Sequence, residues 1–255
     1  MKTDTIYSRL DILATELEGD LKYDKTTRTI YATDASVYKE FPVAVIWPKG
    51  KSDLKKIIAF ARKEKTAITM RAAGTSLAGQ VVSSGIIVDI SKYMKKIIEI
   101  NTGELWARVE PGVVLDELNL CLKEYGMFFG PETSTSNRCN LGGMVGNNAC
   151  GSHSVIYGST RDHLIELKVL LSDGSEAQFG PVDKLTFNEK CLLPGLEGTI
   201  YRKTKEMFSD PENIRSIREN FPVSLEQRNR QHIEFHADAA RNRVAMFRDY
   251  PGNFT

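Results

Sequence analysis

A glycine-rich loop directly after a predicted strand constrains this chain more than any other feature. The apolar run Thr66–Met70 predicts the strand, and the following residues, Arg71–Gln80, contain two glycines and two hydroxyl side chains. Glycine conformations can turn several backbone N–H groups inward, which forms an electropositive concavity without a lysine. The loop therefore predicts a site for an anion such as a diphosphate. The alternative is an ordinary turn, in which Gly74 and Gly79 only permit positive φ angles.

A second glycine-rich segment, Pro131–Gly151, lies further along the chain. Gly142 and Gly143 permit close backbone approach, and residues 144–149 predict the start of a helix whose free N–H groups face a negative ligand. Two such loops, each flanked by regular elements, indicate one extended ligand that is contacted at both ends. Asn147 offers a side-chain amide to such a ligand, although asparagines in loops also commonly cap turns.

The predicted elements begin in the order strand, helix, strand. Pro42–Pro48 is a short apolar run bracketed by prolines, and a helix with Ser52 as its N-cap follows it. Further strands are predicted near residues 67–70 and 85–90, so the first loop lies at a strand end. This order favours a small sheet covered by helices, with ligands at the carboxyl ends of the strands. Other predicted elements are a first helix with Ile6, Leu10, Leu13 and Leu17 on one face, strands at residues 97–101 and 105–109, a helix over residues 114–122, a hairpin within residues 165–179 and helices from Pro194 onward.

Composition argues against several classes of protein. The formal net charge is +1, from 34 basic and 33 acidic residues, so no overall field attracts nucleic acid. No apolar run approaches the roughly 20 residues of a membrane-spanning helix, and the N-terminus lacks the hydrophobic core of a signal peptide. We therefore expect no nucleic-acid partner, no transmembrane segment and a cytoplasmic location.

The sequence gives no support to a metal site or a hydrolase. The four cysteines are scattered without a C-x-x-C pair, which argues against a zinc ribbon and a disulfide framework. Cys139 and Cys150 lie inside the second glycine-rich segment, but buried thiols explain such cysteines more often than cofactor contacts. His232 and His236 stand four residues apart, and a solvated helix face explains them better than a metal site. No nucleophile elbow is present.

Taken together, these segments resemble a known family. Arg71–Gln80, Pro131–Gly151, Tyr157-Gly158 and Leu171–Gly174 are similar to the FAD-binding domain of the vanillyl-alcohol oxidase / p-cresol methylhydroxylase family. Within that family the sequence most resembles FAD-linked D-2-hydroxyacid dehydrogenases of the glycolate oxidase and D-lactate dehydrogenase type, particularly the large forms fused to an iron–sulfur domain. Tyr31–Tyr38 also resembles the segment that leads into their flavin domain. The likeness covers about residues 28–221.

The resemblance implies an α+β fold, the two-subdomain FAD-binding fold of this family. It also implies a division of the chain. The expected parts are an N-terminal helix and leading segment at residues 1–37, a first FAD-binding subdomain at 38–110, a second at 111–221 and a divergent tail at 222–255. In the family a closing stretch of the flavin domain and a substrate-binding cap domain come next, whereas here the likeness ends near Arg230. We therefore expect a flavin domain that is incomplete at its C-terminus.

The resemblance further implies how FAD is held. The diphosphate is expected on residues 73–79, the second segment on its other side, and the backbone of Ile165 near the adenine. Covalent members of the family carry a histidine where this chain has Thr75, so we expect noncovalent FAD. The residues expected to bind FAD are Ala73, Gly74, Thr75, Ser76, Leu77, Gly79, Pro131, Ser134, Gly142, Gly143, Asn147, Gly151, Tyr157, Gly158 and Ile165.

The implied reaction is oxidation of a small D-2-hydroxy acid, of the D-lactate, glycolate or 2-hydroxyglutarate class, by hydride transfer to the flavin N5. In relatives the cap domain holds the substrate carboxylate and takes the proton, so we assign no catalytic residue in this chain. A partner chain carrying a cap or iron–sulfur domain would supply the missing parts. Two alternatives remain open: a nonenzymatic remnant or subunit that needs a partner chain, and a flavin reductase of peptidoglycan precursor synthesis.

Overall fold

The computed structural model describes residues 5–220 together with the short stretches 244–245 and 247–248. The described residues form two compact units. The first comprises residues 5–164 and the two C-terminal stretches, and the second comprises residues 165–220. The expected subdomain boundaries near residues 38, 111 and 222 stay predictions.

The first unit begins with a four-stranded sheet and the helices around it. Its elements are α1 (Ile6–Glu16), β1 (Asp20–Lys22), α2 (Lys25–Ile30), β2 (Ala44–Trp47), α3 (Lys51–Glu64), β3 (Ile68–Arg71) and β4 (Ile86–Asp89). The strand order is β1-β2-β4-β3, in which β2, β4 and β3 run parallel and β1 runs antiparallel to β2. Alternate residues of β2 and β4 pack against α1 and α3 in a buried core: Leu10, Leu13, Ala44, Ile46, Ile57, Ile86 and Val88. The strand–helix–strand order predicted here is confirmed, but the predicted N-cap Ser52 is wrong, because α3 begins at Lys51 with Gly50 as its N-cap.

The remainder of the first unit has a second core. Its elements are β5 (Ile97–Asn101), β6 (Trp106–Val109), α4 (Leu115–Lys123), β7 (Met127–Phe128), α5 (Leu141–Asn147), α6 (Ser154–Tyr157) and a 3₁₀ helix, Thr160–His163. Strands β5 and β6 pair antiparallel. The apolar stripe of α4, Leu115, Leu118 and Leu122, is fully buried against α5 through Leu141 and Met144. This packing fixes where the second glycine-rich segment lies.

The second unit consists of a hairpin followed by three helices. Its elements are β8 (Leu167–Leu170), β9 (Glu176–Phe179), α7 (Lys184–Leu192), α8 (Gly195–Ser209) and α9 (Pro211–Asn220). The hairpin that the sequence predicts is present, with Leu170 paired to Glu176. Helix α7 was not predicted from the sequence, which indicated helices in this region only from Pro194 onward.

Two short strands come from the predicted tail. β10 (Val244–Ala245) pairs antiparallel with β6, and β11 (Phe247–Arg248) pairs antiparallel with β7. Residues of the tail therefore extend two sheets of the first unit. His232 and His236 lie outside the described residues.

Candidate functional site

The first glycine-rich loop leaves the carboxyl end of β3, as the sequence predicted. Gly74 and Gly79 both adopt positive φ angles, +68° and +70°, a region in which L side chains are strained. Between them the chain makes no regular secondary structure. Glycine at these two positions therefore allows a backbone conformation that L side chains rarely adopt.

Six N–H groups of this loop have no acceptor among the described residues. Within the part of the chain that the structure describes, no acceptor pairs with the backbone N–H of the following residues: Ala73, Gly74, Thr75, Ser76, Leu77 and Gly79. All of these residues are partly or largely solvent-accessible. Backbone N–H groups are obligatory donors, so a row of them without acceptors could hold an anion.

The two hydroxyl residues of the loop have different surroundings. Ser76 Oγ accepts hydrogen bonds from the backbone N–H groups of Ala78 and Gln80, at 3.2 and 3.4 Å, and donates one to Gln80 Oε1 at 2.8 Å. The Thr75 hydroxyl has no hydrogen-bond partner among the described residues. Ser76 thus shapes the loop, whereas the hydroxyl and the N–H of Thr75 are both available to a ligand.

The Arg71 side chain packs against the first loop at Gly74 and against the segment that leads into the domain. Its guanidinium lies over the ring of Tyr31, 4.9 Å from the ring centroid, and Nη1 donates a hydrogen bond of 2.9 Å to the carbonyl of Thr33. A Cβ at Gly74 would lie 2.5 Å from Nη2 of this guanidinium. The N–H of Ala35 donates to the Gly74 carbonyl at 3.2 Å. The segment that leads into the domain therefore holds the first loop in place.

Tyr31 is itself fixed by two polar neighbours. Its hydroxyl donates a hydrogen bond of 2.6 Å to Asp89 Oδ2 and accepts one of 2.9 Å from Trp47 Nε1. Burial, and then the hydrogen bond to the Asp89 carboxylate, raise the pKa of Tyr31 well above its usual value. The hydroxyl therefore stays protonated, and the ring presents a fixed face to Arg71. Sequence reasoning did not find this network, because its members are far apart in the chain.

The second segment differs from its prediction at the start of α5. The helix begins at Leu141, three residues before Met144, so the glycine pair lies in its first turn. The N–H groups of Leu141 and Gly142 donate to the carbonyls of Val113 and Pro111, at 2.9 and 2.8 Å. The expectation of a free helix N-terminus at Met144 is wrong, since this N–H donates to the Asn140 carbonyl at 3.0 Å. Among described residues, only the N–H of Gly143 in this first turn has no acceptor.

The structure brings the two glycine-rich segments together. A Cβ at Gly143 would lie 3.0 Å from Cβ of Ala72, at the start of the first loop. At the other end of that loop, Gln80 Nε2 donates a hydrogen bond of 2.9 Å to Asn147 Oδ1. The two segments therefore contact each other at both ends of the first loop, whereas their shared contact with one ligand stays a prediction.

Other residues of the predicted site are held by their own neighbours. The backbone of Gly151 lies close to that of Glu132, because a Cβ on Gly151 would lie 2.5 Å from the Glu132 carbonyl oxygen. Tyr157 packs edge-on against Phe128, with ring centroids 5.3 Å apart. Gly158 has φ +72°, and a Cβ there would lie 2.8 Å from Oδ2 of Asp162. These positions shape the second segment.

Three further predicted positions have distinct surroundings. Pro131 is buried, whereas Ser134 is exposed at the first position of a turn. Gly142 is required by packing, because a Cβ there would lie 2.5 Å from Cβ of Pro111. Ile165 belongs to the second unit, where it is buried just before β8.

Cys139 is a core residue. Its side chain is buried, and Sγ lies 3.3 Å from Thr133 Oγ1 and 3.6 Å from Met144 Sδ. Burial raises the pKa of the Cys139 thiol. Cys150, by contrast, is exposed, so the expectation of a buried thiol is wrong at that position. The thiol of Cys139 therefore contributes to packing, which agrees with the preferred interpretation of its sequence position.

Comparison with known proteins identifies the family that the sequence resembles. Residues 42–180 match a family described as "FAD binding domain". The chain is 40% identical over 192 residues to a D-2-hydroxyglutarate dehydrogenase from Pseudomonas putida, covering 74% of this chain and 19% of that protein. It is 30% identical over 192 residues to the glycolate oxidase subunit GlcD of Bacillus subtilis, covering 72% and 41%. The chain thus spans about a fifth to two fifths of the length of these relatives.

A solved structure of similar fold is that of BBE-like 1 from Physcomitrella patens. It aligns with a TM-score of 0.59 and 17% identity over 67% of this chain and 37% of that one. This likeness concerns the fold alone. Within the described part of the chain, none of the helices combines the length and the apolarity needed to cross a bilayer.

Proposed function

Because the chain belongs to the FAD-binding domain family, as its sequence resemblance predicted, we propose that it binds FAD noncovalently through the two glycine-rich segments. The α+β FAD-binding fold expected for this family is confirmed by the family match and by the similar solved structure. In the proposal the FAD diphosphate lies on the free N–H groups of residues 73–79, and Gly143 and Asn147 border it from α5.

The unpaired N–H groups of the first loop are the observation that carries this proposal. A diphosphate presents several anionic oxygens close together, and each can accept more than one hydrogen bond. The only charged side chain within residues 71–80 is Arg71, and its guanidinium is already engaged with Tyr31 and Thr33. The loop therefore recognises an anion by oriented peptide dipoles. Its two positive-φ glycines permit the backbone conformation of the loop, and the missing Cβ at Gly143 lets α5 approach the loop at Ala72.

The side chains of the loop support noncovalent attachment. Thr75 stands where covalent relatives carry histidine, and a threonine hydroxyl does not form the histidyl bond to flavin. Its free hydroxyl instead offers the ligand one more hydrogen bond. The first loop as a whole contains no histidine, cysteine or tyrosine.

We further propose that the chain serves an oxidoreductase of the D-2-hydroxyacid dehydrogenase type. The support is its similarity to a D-2-hydroxyglutarate dehydrogenase and to a glycolate oxidase subunit. Bound FAD would supply the acceptor for the hydride from the carbon that bears the substrate hydroxyl. The described residues would position that cofactor, and a cap domain, on this protein or on a partner chain, would bind the 2-hydroxy acid. A cytoplasmic location is part of the same proposal.

A titration of the purified, flavin-free chain with FAD tests the binding function. We expect quenching of flavin fluorescence and a saturable shift of the visible absorption band. Riboflavin, which has no phosphate, should bind much more weakly because it cannot use the first loop. Acid precipitation should release all of the flavin into the supernatant, since no covalent bond is formed. Equal affinity for FAD and riboflavin, or no uptake of FAD, would contradict the proposal.

A separate assay tests the proposed reaction. The FAD-loaded chain is mixed with D-2-hydroxyglutarate, D-lactate or glycolate and an artificial electron acceptor, with and without a separately expressed cap domain from a relative. We expect flavin bleaching by one of these acids only when the cap domain is present. FAD binding without bleaching under any of these conditions would reject the reaction but leave the binding function intact.

A further inference from the structure

Gln80 connects the two glycine-rich segments. Ser76 Oγ donates a hydrogen bond of 2.8 Å to Gln80 Oε1, and Gln80 Nε2 donates one of 2.9 Å to Asn147 Oδ1. We name these two hydrogen bonds the Gln80 bridge. We propose that Gln80 is a positioning residue for the cofactor: the bridge holds the first loop against α5, so that the N–H groups of the loop face one ligand together. This inference rests on the proposed function.

The Gln80 bridge links the backbone of the first loop to α5 through the side chains of Ser76, Gln80 and Asn147. Ser76 Oγ accepts hydrogen bonds from two N–H groups of its own loop, those of Ala78 and Gln80, so its position follows the loop backbone. Asn147 is the last residue of α5. In this arrangement Gln80 accepts from Ser76 and donates to Asn147, and a primary amide can do both. An aliphatic residue at this position would lose both hydrogen bonds.

The bridge complements a contact at the opposite end of the loop. There the Ala72 methyl group lies against the bare Cα of Gly143. Between these two points the loop passes through Gly74 and Gly79, the residues with the greatest backbone freedom. Without the bridge, the Ala72 contact and the hydrogen bond from Ala35 to the Gly74 carbonyl would still hold the start of the loop, but its end could turn away from α5 at Gly79. The bridge removes that freedom before the ligand arrives, which lowers the entropy lost on binding.

The expected effect is modest, because Gln80 and Asn147 are both exposed and exposed hydrogen bonds have small net energies. We expect Gln80→Met, which keeps the length of the side chain but neither of its hydrogen bonds, to weaken FAD binding by about threefold to tenfold. Most of that change should be a faster FAD dissociation. Gln178, an exposed residue of β9 whose side chain makes no hydrogen bond among the described residues, offers the matched control. Gln178→Met should leave FAD binding unchanged.

A double-mutant cycle on the full chain tests the inference. FAD dissociation constants and dissociation rates are measured for wild type, Gln80→Met, Asn147→Ala and the double variant, with the thermal unfolding midpoint of each flavin-free protein. If the bridge positions the loop, the FAD dissociation constant of the double variant is no higher than the higher of the two single-variant values. The flavin-free midpoints should differ by less than about 2 °C, because a surface substitution has little effect on folding.

The outcomes separate this inference from the function on which it rests. A wild-type chain that takes up no FAD overturns both. A wild-type chain that binds FAD, with effects of the two substitutions that simply add, overturns the role of the bridge and leaves the binding function standing. A large loss of thermal stability in Gln80→Met, with a proportionate loss of FAD binding, would show a purely structural residue and also reject the inference.

Discussion

Cβ of Ala72 lies 3.0 Å from the position that a Cβ on Gly143 would occupy. This close approach is where the first loop meets α5. Gly143→Val should push the two segments apart and raise the FAD dissociation constant by about tenfold or more, since an overpacked contact displaces its surroundings. Fluorescence titration measures the effect. Adding Ala72→Gly to the same protein should recover most of the affinity, because it removes the opposing methyl group.

Gly146 supplies a control for this first prediction on the same helix. A Cβ at this position would meet nothing within 4 Å. Gly146→Ala should therefore leave FAD affinity unchanged and raise the free energy of unfolding by about 0.5–1 kcal/mol, because alanine loses less backbone entropy in a helix. If Gly146→Ala weakened FAD binding as much as Gly143→Val does, the contact between Gly143 and Ala72 would not explain the result.

Gly74→Ala should damage the first loop in two ways. The substitution places an L side chain at φ +68° and brings a Cβ within 2.5 Å of Nη2 of Arg71. The first effect alone costs about 1–2 kcal/mol, and the second displaces Arg71 from Tyr31. Gly126 has φ +66° with nothing within 4 Å of its Cβ position, so Gly126→Ala isolates the first effect. Urea unfolding of both variants gives the difference, and equal losses would refute the role of Arg71.

Removal of the Tyr31 hydroxyl should destabilise the first unit. Tyr31→Phe leaves Asp89 Oδ2 and Trp47 Nε1 without their present partner. Because Asp89 is buried, we expect a loss of about 1–3 kcal/mol in the free energy of unfolding. The ring remains beneath Arg71, so FAD affinity should fall less than in Gly74→Ala. Tyr7, whose hydroxyl makes no hydrogen bond among the described residues, is the control, and Tyr7→Phe should be nearly neutral.

The cysteines should divide into two classes in a thiol-labelling experiment. Cys121 and Cys150 are exposed, whereas Cys139 and Cys191 are buried. Burial also raises the pKa of the Cys139 thiol, which lowers its thiolate fraction at pH 8. Labelling of the native chain with an aromatic disulfide reagent should show two fast thiols, and unfolding should release the other two. Rapid labelling of Cys139 in the native chain would contradict its place in the core.

Local pattern was sufficient to predict the first loop. The apolar run before Arg71 predicts β3, and the glycine spacing predicts the two positive-φ positions that the structure contains. The start of α5 was placed too late, because its first N–H groups pair with Pro111 and Val113, which belong to a distant part of the chain. The local sequence pattern around α5 cannot predict hydrogen-bond partners that lie so far away in the chain. The same holds for Arg71, whose support by Tyr31 depends on tertiary packing.

Helix α7 shows the other limit of sequence reasoning. Only Cys191 of its residues is buried, so the segment carries no apolar stripe that would mark it as a helix. Its start is instead fixed by Asp183, whose side chain accepts a hydrogen bond of 2.7 Å from the N–H of Thr186. The meeting of the two glycine-rich segments was predicted from their chemistry, but the residues that join them, Ala72 and Gln80, were not assigned a role.

The most direct test of the central claim is the perturbation of backbone amide resonances in the ¹⁵N-labelled chain on titration with FAD. We predict that the largest shifts belong to the N–H groups of Ala73–Ser76, Leu77, Gly79 and Gly143, and that riboflavin at the same concentration leaves them unchanged. Saturable FAD binding that perturbs other amides, while those of the first loop stay at their apo positions, would contradict the claim that the diphosphate lies on this loop.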